Sequence, residues 1–247
     1  MLKLQEEYLI KQIYRLLLKR FGTQGWWPTT SQGENSPSYH SVPRTAGLCE
    51  AEKFEICVGA LLTQNTAWTN VEKALFQLNY AKVLTPKKIS EISFQKLARL
   101  IHSSGYFRQK AKRLKFFAKY LEKRYSGKTG RLLEKPLAEA REELLSLHGM
   151  GPETVDSILL YAGGHPVFVV DAYTKRIGQR LGLFKTEKYS EAQSYFHEHL
   201  RRSAALYNET HALLVRLGKY FCRPKPLCEK CPLLKICKTG QENIEPR

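Results

Sequence analysis

Apolar residues recur along most of this chain at the spacing of an amphipathic α-helix. One run places apolar side chains at positions i, i+3, i+4, i+7 and i+8: Phe54, Cys57, Val58, Leu61 and Leu62. The same periodicity predicts an N-terminal helix that ends at Gly22, and further helices over residues 71–78, 94–101, 111–121, 137–147, 155–162, 173–181 and 206–217. One strand-like run, PVFVV at residues 166–170, is too isolated to build a sheet. The pattern therefore predicts an all-α fold.

Residues 22–50 interrupt this periodicity. They are rich in Gly, Ser, Thr and Pro and predict a long loop, and loops of this length in compact proteins are usually functional or mobile. Trp26 and Trp27 lie in it. They either pack the loop against the core or line a pocket, and the sequence leaves both possibilities open.

The charge of the chain indicates the kind of partner it binds. Its 247 residues include 40 Lys and Arg against 23 Asp and Glu, a net charge of +17. Eleven of the basic residues fall between Arg108 and Lys135, and the acidic residues in this segment are Glu122 and Glu134. Such an excess speeds encounter with a polyanion and adds affinity through counterion release. We therefore expect a nucleic acid partner.

The sequence predicts a location inside the cell. No run reaches the ~18 apolar residues of a membrane span. The first residues carry glutamates and no small-residue cleavage site, unlike a secretory signal. We expect no membrane partner and a cytoplasmic, nucleoid-associated protein with reduced thiols.

Four cysteines follow one another closely near the C-terminus, with the spacing C-x5-C-x2-C-x5-C: Cys222, Cys228, Cys231 and Cys237. Reduced thiols at this spacing indicate one four-thiolate inorganic centre. Zinc sites usually pair two C-x2-C knuckles, whereas clusters of four irons accept longer arms, so the spacing favours an iron–sulfur cluster over zinc. Arg223 and Lys225 lie between these cysteines and would present cations to a phosphate backbone.

Two further motifs carry candidate chemistry. In LHGMGPET, residues 147–154, Gly149 and Gly151 join two helical patterns, and unpaired amides at the start of the second helix would bind a phosphate. Asp171, in VVDAYTKRIGQRLG, follows the apolar run and opens a helix. It is either an ordinary helix N-cap or a carboxylate that activates water beside the phosphate-binding turn.

These motifs resemble those of the endonuclease III superfamily of DNA glycosylases. The resemblance rests on five motifs in the family's order: LLTQNTAWTNVEKAL, SGYFRQKAKRL, LHGMGPET, VVDAYTKRIGQRLG and the four-cysteine loop. It implies a two-lobed helical fold with a helix-hairpin-helix motif and a C-terminal [4Fe-4S] cluster loop, and a damaged base flipped into the cleft between the lobes. We expect residues 49–165 to form the helical domain that ends in the hairpin. Residues 166–247 would form the lobe with the catalytic aspartate and the cluster, and residues 1–48 would pack with it.

The resemblance also implies roles for individual residues. Asp171 would be the catalytic aspartate, Gln64 would fill the space left by the flipped nucleotide, and Tyr106 would wedge into the base stack. Gly149 and Gly151 would hold a phosphate, and the [4Fe-4S] cluster would take the four cysteines as ligands. We further expect DNA contacts from Asn65, Lys110, Arg223 and Lys225, and a base pocket lined by Trp26, Trp27 and Trp68.

Glu153 bears on the reaction type. Bifunctional members of the family carry a lysine two residues after the second hairpin glycine, and its amine forms a Schiff base and cleaves the strand. A carboxylate at that position cannot form an imine. The stretches TQNTAW, QKAKRL and GPETVDSILLYA look most like the 3-methyladenine DNA glycosylase branch, which also carries an acid there.

We therefore expect a monomeric base-excision-repair glycosylase that acts on double-stranded DNA and hydrolyses off an alkylated purine, without lyase activity. Two alternatives stay open. One is an endonuclease III-like bifunctional glycosylase and AP lyase for oxidised pyrimidines that uses another amine, such as Lys110 or Lys175. The other is a non-catalytic iron–sulfur protein that senses DNA damage.

Overall fold

The computed structural model describes residues 2–44 and 46–244, and the regular secondary structure in these ranges is helical. Its α-helices are α1 Leu2–Phe21, α2 Glu50–Thr63, α3 Trp68–Tyr80, α4 Pro86–Glu91, α5 Phe94–Leu100, α6 Phe107–Tyr125, α7 Thr129–Leu133, α8 Leu137–Leu145, α9 Pro152–Tyr161, α10 Ala172–Leu181, α11 Tyr189–His199, α12 Ala204–Tyr220 and α13 Lys238–Glu242. Short 3₁₀ turns lie at His102–Ser104, Cys228–Lys230 and Leu234–Ile236. Within the described ranges there is no strand, and one isolated antiparallel bridge joins Thr29 and Ser38. The predicted all-α class is confirmed.

The chain divides into two compact units. The first draws on Met1–Trp26, Ser41–Pro43 and Pro166–Arg247, and the second on Trp27–His40 and Arg44–His165. In the first unit, α12 packs against α1 and α10, and α11 packs against α1. In the second, α2, whose residues 54–62 are all buried, packs against α3, α6, α7 and α9. Each unit therefore has its own apolar core.

The PVFVV run of the first unit is extended but joins no sheet. Its residues 167–170 are buried, so their backbone groups need partners other than water. Side chains of α11 supply them: the Phe168 N–H donates to His197 Nε2 at 2.9 Å, and Gln193 Nε2 donates to the Phe168 carbonyl at 2.6 Å. The Phe168 ring stacks on Phe196 with centroids 4.0 Å apart. This anchoring holds the segment that leads into Asp171.

The long loop departs from the predicted division. We placed residues 1–48 with the C-terminal lobe, but residues 27–40 and 44–48 belong to the second unit. Trp27 is 5% exposed and packs edge-on against Trp68, with centroids 5.1 Å apart. A Cβ at Gly59 would approach the Trp27 ring to 3.0 Å, so this glycine makes room for the indole.

The buried carboxylate of Glu55 also ties the loop to α2. It accepts hydrogen bonds from the Thr30 backbone N–H at 2.9 Å and from the Thr30 hydroxyl at 2.5 Å. Burial raises the pKa of Glu55, since the low-dielectric surroundings disfavour its charged form. Residues 27–30 are thus held as a fixed part of the second unit.

None of the helices described here has the length and apolarity needed to cross a membrane.

Candidate functional site

The predicted hairpin is present in the second unit. It joins α8 to α9, Gly149 adopts φ +83°, and Gly151 is the N-cap of α9, with Pro152 at its first turn. A Cβ at Gly151 would meet no atom within 4 Å, so the backbone here is open to a ligand. The turn thus presents helix N-terminal amides, the usual backbone donors to a phosphate.

A buried ion pair fixes the two hairpin helices to each other. Asp156 is fully buried and accepts from Arg141 Nε at 2.7 Å and from Nη2 at 3.2 Å. Glu153 lies in the first turn of α9 and is exposed. Its position gives it a favourable interaction with the helix dipole and access to solvent or a ligand.

Gln64 ends α2 and reaches the hairpin. Its amide nitrogen donates to the Gly149 carbonyl at 3.1 Å and to Thr154 Oγ1 at 2.9 Å. Its amide oxygen accepts from Arg113 Nη1. The next residue, Asn65, is exposed and adopts φ +54°. The predicted DNA-inserting residue is therefore bonded to the predicted phosphate-binding turn.

Tyr106 and Lys110 have opposite environments. Tyr106 is 69% exposed at the N-cap of α6, with φ +45°. Lys110 is 2% exposed, and its Nζ donates to the carbonyls of Leu62 at 2.8 Å and Ser104 at 2.6 Å. Burial and, to a smaller extent, the positive charge of Arg113 together lower the pKa of Lys110 to about 8.

The prediction that Lys110 contacts DNA is therefore wrong. Its ammonium group closes the C-terminal end of α2, where helix carbonyls lack intrahelical partners. The basic surface comes from the remainder of the segment, where seven side chains are exposed: Arg108, Lys112, Lys119, Lys123, Arg124, Lys128 and Arg131.

The three candidate pocket tryptophans differ in burial. Trp27 is core, between Trp68 and Tyr161, and its ring centroid lies 5.2 Å from that of Tyr161. Trp68 and Trp26 are half-buried, Trp68 in the second unit and Trp26 in the first. Packing is thus the role of Trp27, whereas the other two indoles retain exposed surface.

Asp171 lies in the first unit, between the buried PVFVV run and α10. Its Oδ1 accepts the Thr174 N–H at 2.7 Å, so it caps α10. Its Oδ2 lies 3.7 Å from Nε2 of His211 on α12. This arrangement is compatible with Asp171 as a helix N-cap and as a carboxylate that activates water. Capping uses one carboxylate oxygen and leaves the other near His211.

His211 was not predicted as a site residue. Burial lowers its pKa, and the Asp171 carboxylate opposes this shift, so the imidazole is mainly neutral at pH 7. Glu209, two residues before His211, is also buried and accepts the Gln24 N–H at 2.8 Å. Burial raises the pKa of Glu209. The sequence signal for both residues is a polar pair, Glu and His, within the apolar pattern of α12.

The four C-terminal cysteines line one cavity together with Arg180 and Leu234. All four are free thiols. Three accept a hydrogen bond: Cys222 from Arg180 Nη1 at 3.4 Å, Cys237 from the Gly240 N–H at 3.3 Å and Cys228 from Asn243 Nδ2 at 3.5 Å. Burial raises the pKa of Cys231 to about 11 and also raises the pKa of Cys237.

This donor set fits a multinuclear cluster. Four sulfurs share one cavity, and N–H donors face three of them, as thiolates with a bound cluster require. Across residues 2–44 and 46–244, no three His, Cys, Asp or Glu side chains lie close enough together for one metal ion. Arg223 and Lys225 are exposed on the same loop.

The family model for base excision DNA repair proteins of the HhH-GPD superfamily matches residues 58–202. This match spans Gln64, the hairpin and Asp171, and it covers more than half of the chain. The chain belongs to the HhH-GPD superfamily. It is a DNA glycosylase of the endonuclease III-like superfamily, which confirms the resemblance that its motifs indicate. The match ends before Cys222 and therefore says nothing of the cysteine loop.

Individual relatives of this HhH-GPD glycosylase span most of its length. A Methanocaldococcus jannaschii protein, whose name assigns it to the DNA repair glycosylases, is 40% identical over 93% of this chain and 96% of its own. Endonuclease III of Thermotoga maritima is 30% identical over 76% of this chain and 84% of its own. The H. pylori 3-methyladenine DNA glycosylase bound to 1,N6-ethenoadenine is 30% identical, covers 87% of this chain and 97% of its own, and superposes with a TM-score of 0.67.

Proposed function

We propose that this glycosylase is monofunctional: it flips a damaged base out of double-stranded DNA and hydrolyses the N-glycosidic bond without cutting the strand. Glu153 carries this proposal. It is exposed at the start of α9, two residues after Gly151, where a lyase lysine would stand. Identity does not separate the two reaction types, since an endonuclease III and a 3-methyladenine glycosylase are both 30% identical to the chain.

Asp171 is the proposed catalytic group. As the C1′–N bond breaks, its electron pair leaves with the base and the sugar becomes an oxocarbenium-like cation. The Asp171 carboxylate stabilises that cation and accepts a proton from the water that attacks C1′. Since Oδ1 is held by the Thr174 N–H at 2.7 Å, the carboxylate has a defined orientation.

DNA binding is assigned to both units. The hairpin amides at Gly149 and Gly151 hold a phosphate, and the basic surface on and after α6 neutralises the backbone. Gln64 and Asn65 enter the space of the flipped nucleotide, and the exposed ring of Tyr106 wedges into the stack. In the first unit, Arg223 and Lys225 add phosphate contacts.

An alkylated purine of the 3-methyladenine type is the proposed substrate. Such a base is cationic and a good leaving group, so it needs little acid catalysis. The H. pylori 3-methyladenine glycosylase, which is 30% identical to the chain, supports this proposal. The half-buried indoles of Trp26 and Trp68 are the aromatic surfaces proposed to select the base by stacking and cation–π attraction.

A bifunctional endonuclease III-like activity is the second candidate, favoured by the Thermotoga maritima relative. It needs an amine near the sugar. Lys110 does not meet this need, because its Nζ is buried and bonded to two carbonyls. Lys175, in the first turn of α10 after Asp171, is half-buried and is the remaining candidate.

We also assign a [4Fe-4S] cluster to the loop of Cys222, Cys228, Cys231 and Cys237. When bound, the cluster would fix the loop that carries Arg223 and Lys225.

Protein purified without oxygen should contain about four irons and four sulfides per chain. Changing Cys231 to Ser should lower both contents and weaken DNA binding. Stoichiometric zinc in place of iron would contradict the assignment.

The reaction type is tested with two duplexes, one methylated and one with an abasic site. Released base and strand breaks are measured directly and again after hot alkali. We expect free 3-methyladenine, and breaks only after alkali. Direct nicking of the abasic duplex, with a covalent adduct trapped by borohydride, would establish the bifunctional candidate instead.

A further inference from the structure

The hairpin of this glycosylase contains no lysine or arginine of its own, yet a guanidinium lies against it. Residues 146–153 read SLHGMGPE, with an acid at the end. Arg113, on α6, packs on the turn: a Cβ at Gly149 would lie 2.5 to 2.8 Å from its Nε, Cδ and Cγ atoms. Gly149 is thus required both by its φ of +83° and by the space that the arginine occupies.

Arg113 is also bonded to Gln64. Its Nη1 donates to the Gln64 amide oxygen, while the amide nitrogen of Gln64 donates to the Gly149 carbonyl and Thr154 Oγ1. Gln64 is therefore held between the cation and the hairpin. It must give up these hydrogen bonds before its side chain can enter a DNA duplex.

The guanidinium is not fully satisfied. Its Nε is buried and has no hydrogen-bond partner among the described residues. Buried N–H donors without a protein partner are uncommon, and such a group favours contact with an acceptor from outside the chain. A phosphate oxygen is a strong acceptor for a guanidinium, which binds phosphate through two parallel N–H groups.

We propose that Arg113 is the cation of the hairpin's phosphate site, and that it exchanges the Gln64 oxygen for a phosphate oxygen when DNA binds. The exchange frees Gln64 to move into the space of the flipped nucleotide. Phosphate binding and Gln64 insertion are thereby coupled. This inference rests on the proposed function, because it needs the hairpin to bind DNA.

The phosphate contact is tested by the salt dependence of binding to a duplex with a tetrahydrofuran abasic analogue. Arg113→Met should weaken binding about 5- to 10-fold and reduce the slope of log K against log salt by about 1, the share of one phosphate contact. Arg113→Lys should keep most of the slope. The control is Arg99→Met, an exposed arginine on α5 in the same unit and outside the basic segment, which should leave the slope unchanged.

The coupling is tested by 2-aminopurine placed beside the lesion, whose fluorescence rises when the stack opens. Arg113→Met and Gln64→Leu should each reduce the rise in fluorescence. In the double variant, the reduction should be no larger than that in the more affected single variant. Additive losses would overturn the coupling. A lower melting temperature with an unchanged salt slope would overturn the phosphate contact. If the wild-type protein itself neither binds the duplex nor releases a base, the proposed function fails rather than this inference.

Discussion

Changing Asp171 to Asn should slow base release by about 10²- to 10⁴-fold, the contribution expected from a group that handles a proton in the transition state. In the proposed mechanism, the change removes the negative charge that stabilises the developing sugar cation. It keeps the helix cap, because the Asn amide oxygen accepts the Thr174 N–H as the Asp171 carboxylate does. Single-turnover release of 3-methyladenine from a methylated duplex is the measurement.

The control for this variant separates chemistry from folding and binding. Glu198→Gln removes one carboxylate charge from an exposed position in the same unit and should leave the rate unchanged. Affinity for damaged duplex and the melting temperature of Asp171→Asn should stay near those of the wild type. A variant that binds normally and releases base at the wild-type rate would remove Asp171 from the mechanism.

The surroundings of Asp171 are only partly predictable from the sequence. The run before it and the helix after it were both recognised, and each is present. The sequence could not show that the two carboxylate oxygens have different surroundings, one at the Thr174 N–H and one 3.7 Å from His211. His211 lies forty residues away along the chain, and only the packing of α12 on α10 brings it near.

The elements that escaped prediction have identifiable causes. α4, α7 and α13 are 6, 5 and 5 residues long, too short for helical periodicity to register. The apolar pattern does not predict α11, because two of its buried side chains, Gln193 and His199, are polar. Gln193 interrupts the pattern while completing the hydrogen bonding of the PVFVV run.

Lys110 illustrates the limit for single charged residues. A lysine in a basic segment is read as exposed, because lysine is rarely buried without a partner. Here the partners are two backbone carbonyls, of Leu62 and Ser104, separated from Lys110 by 48 and 6 residues along the chain. Arg113 follows three residues later in the same helix. Nothing in its sequence context indicates that it packs on the Gly149 turn.

Changing Glu153 to Lys should create strand-cleaving activity, which the proposed monofunctional reaction of the wild type lacks. The amine would stand two residues after Gly151, at the exposed start of α9. The positive end of the helix dipole disfavours an ammonium group there, which increases the fraction of free, nucleophilic amine. The amine attacks C1′ as the base leaves, the sugar ring opens to an imine, and loss of the 3′ phosphate by β-elimination cuts the strand.

Borohydride trapping on an abasic duplex measures this gain, since reduction of the imine leaves a stable protein–DNA adduct. The matched control is Glu153→Arg, which brings the same positive charge but a guanidinium that cannot form the imine. Both variants should bind DNA more tightly than the wild type, because each replaces a negative charge with a positive one near the phosphate. Only the lysine variant should form the trapped adduct and nick the DNA strand.

If Glu153→Lys releases base and binds DNA well yet forms no adduct, position 153 does not reach the sugar. The carboxylate there would then no longer account for a monofunctional reaction.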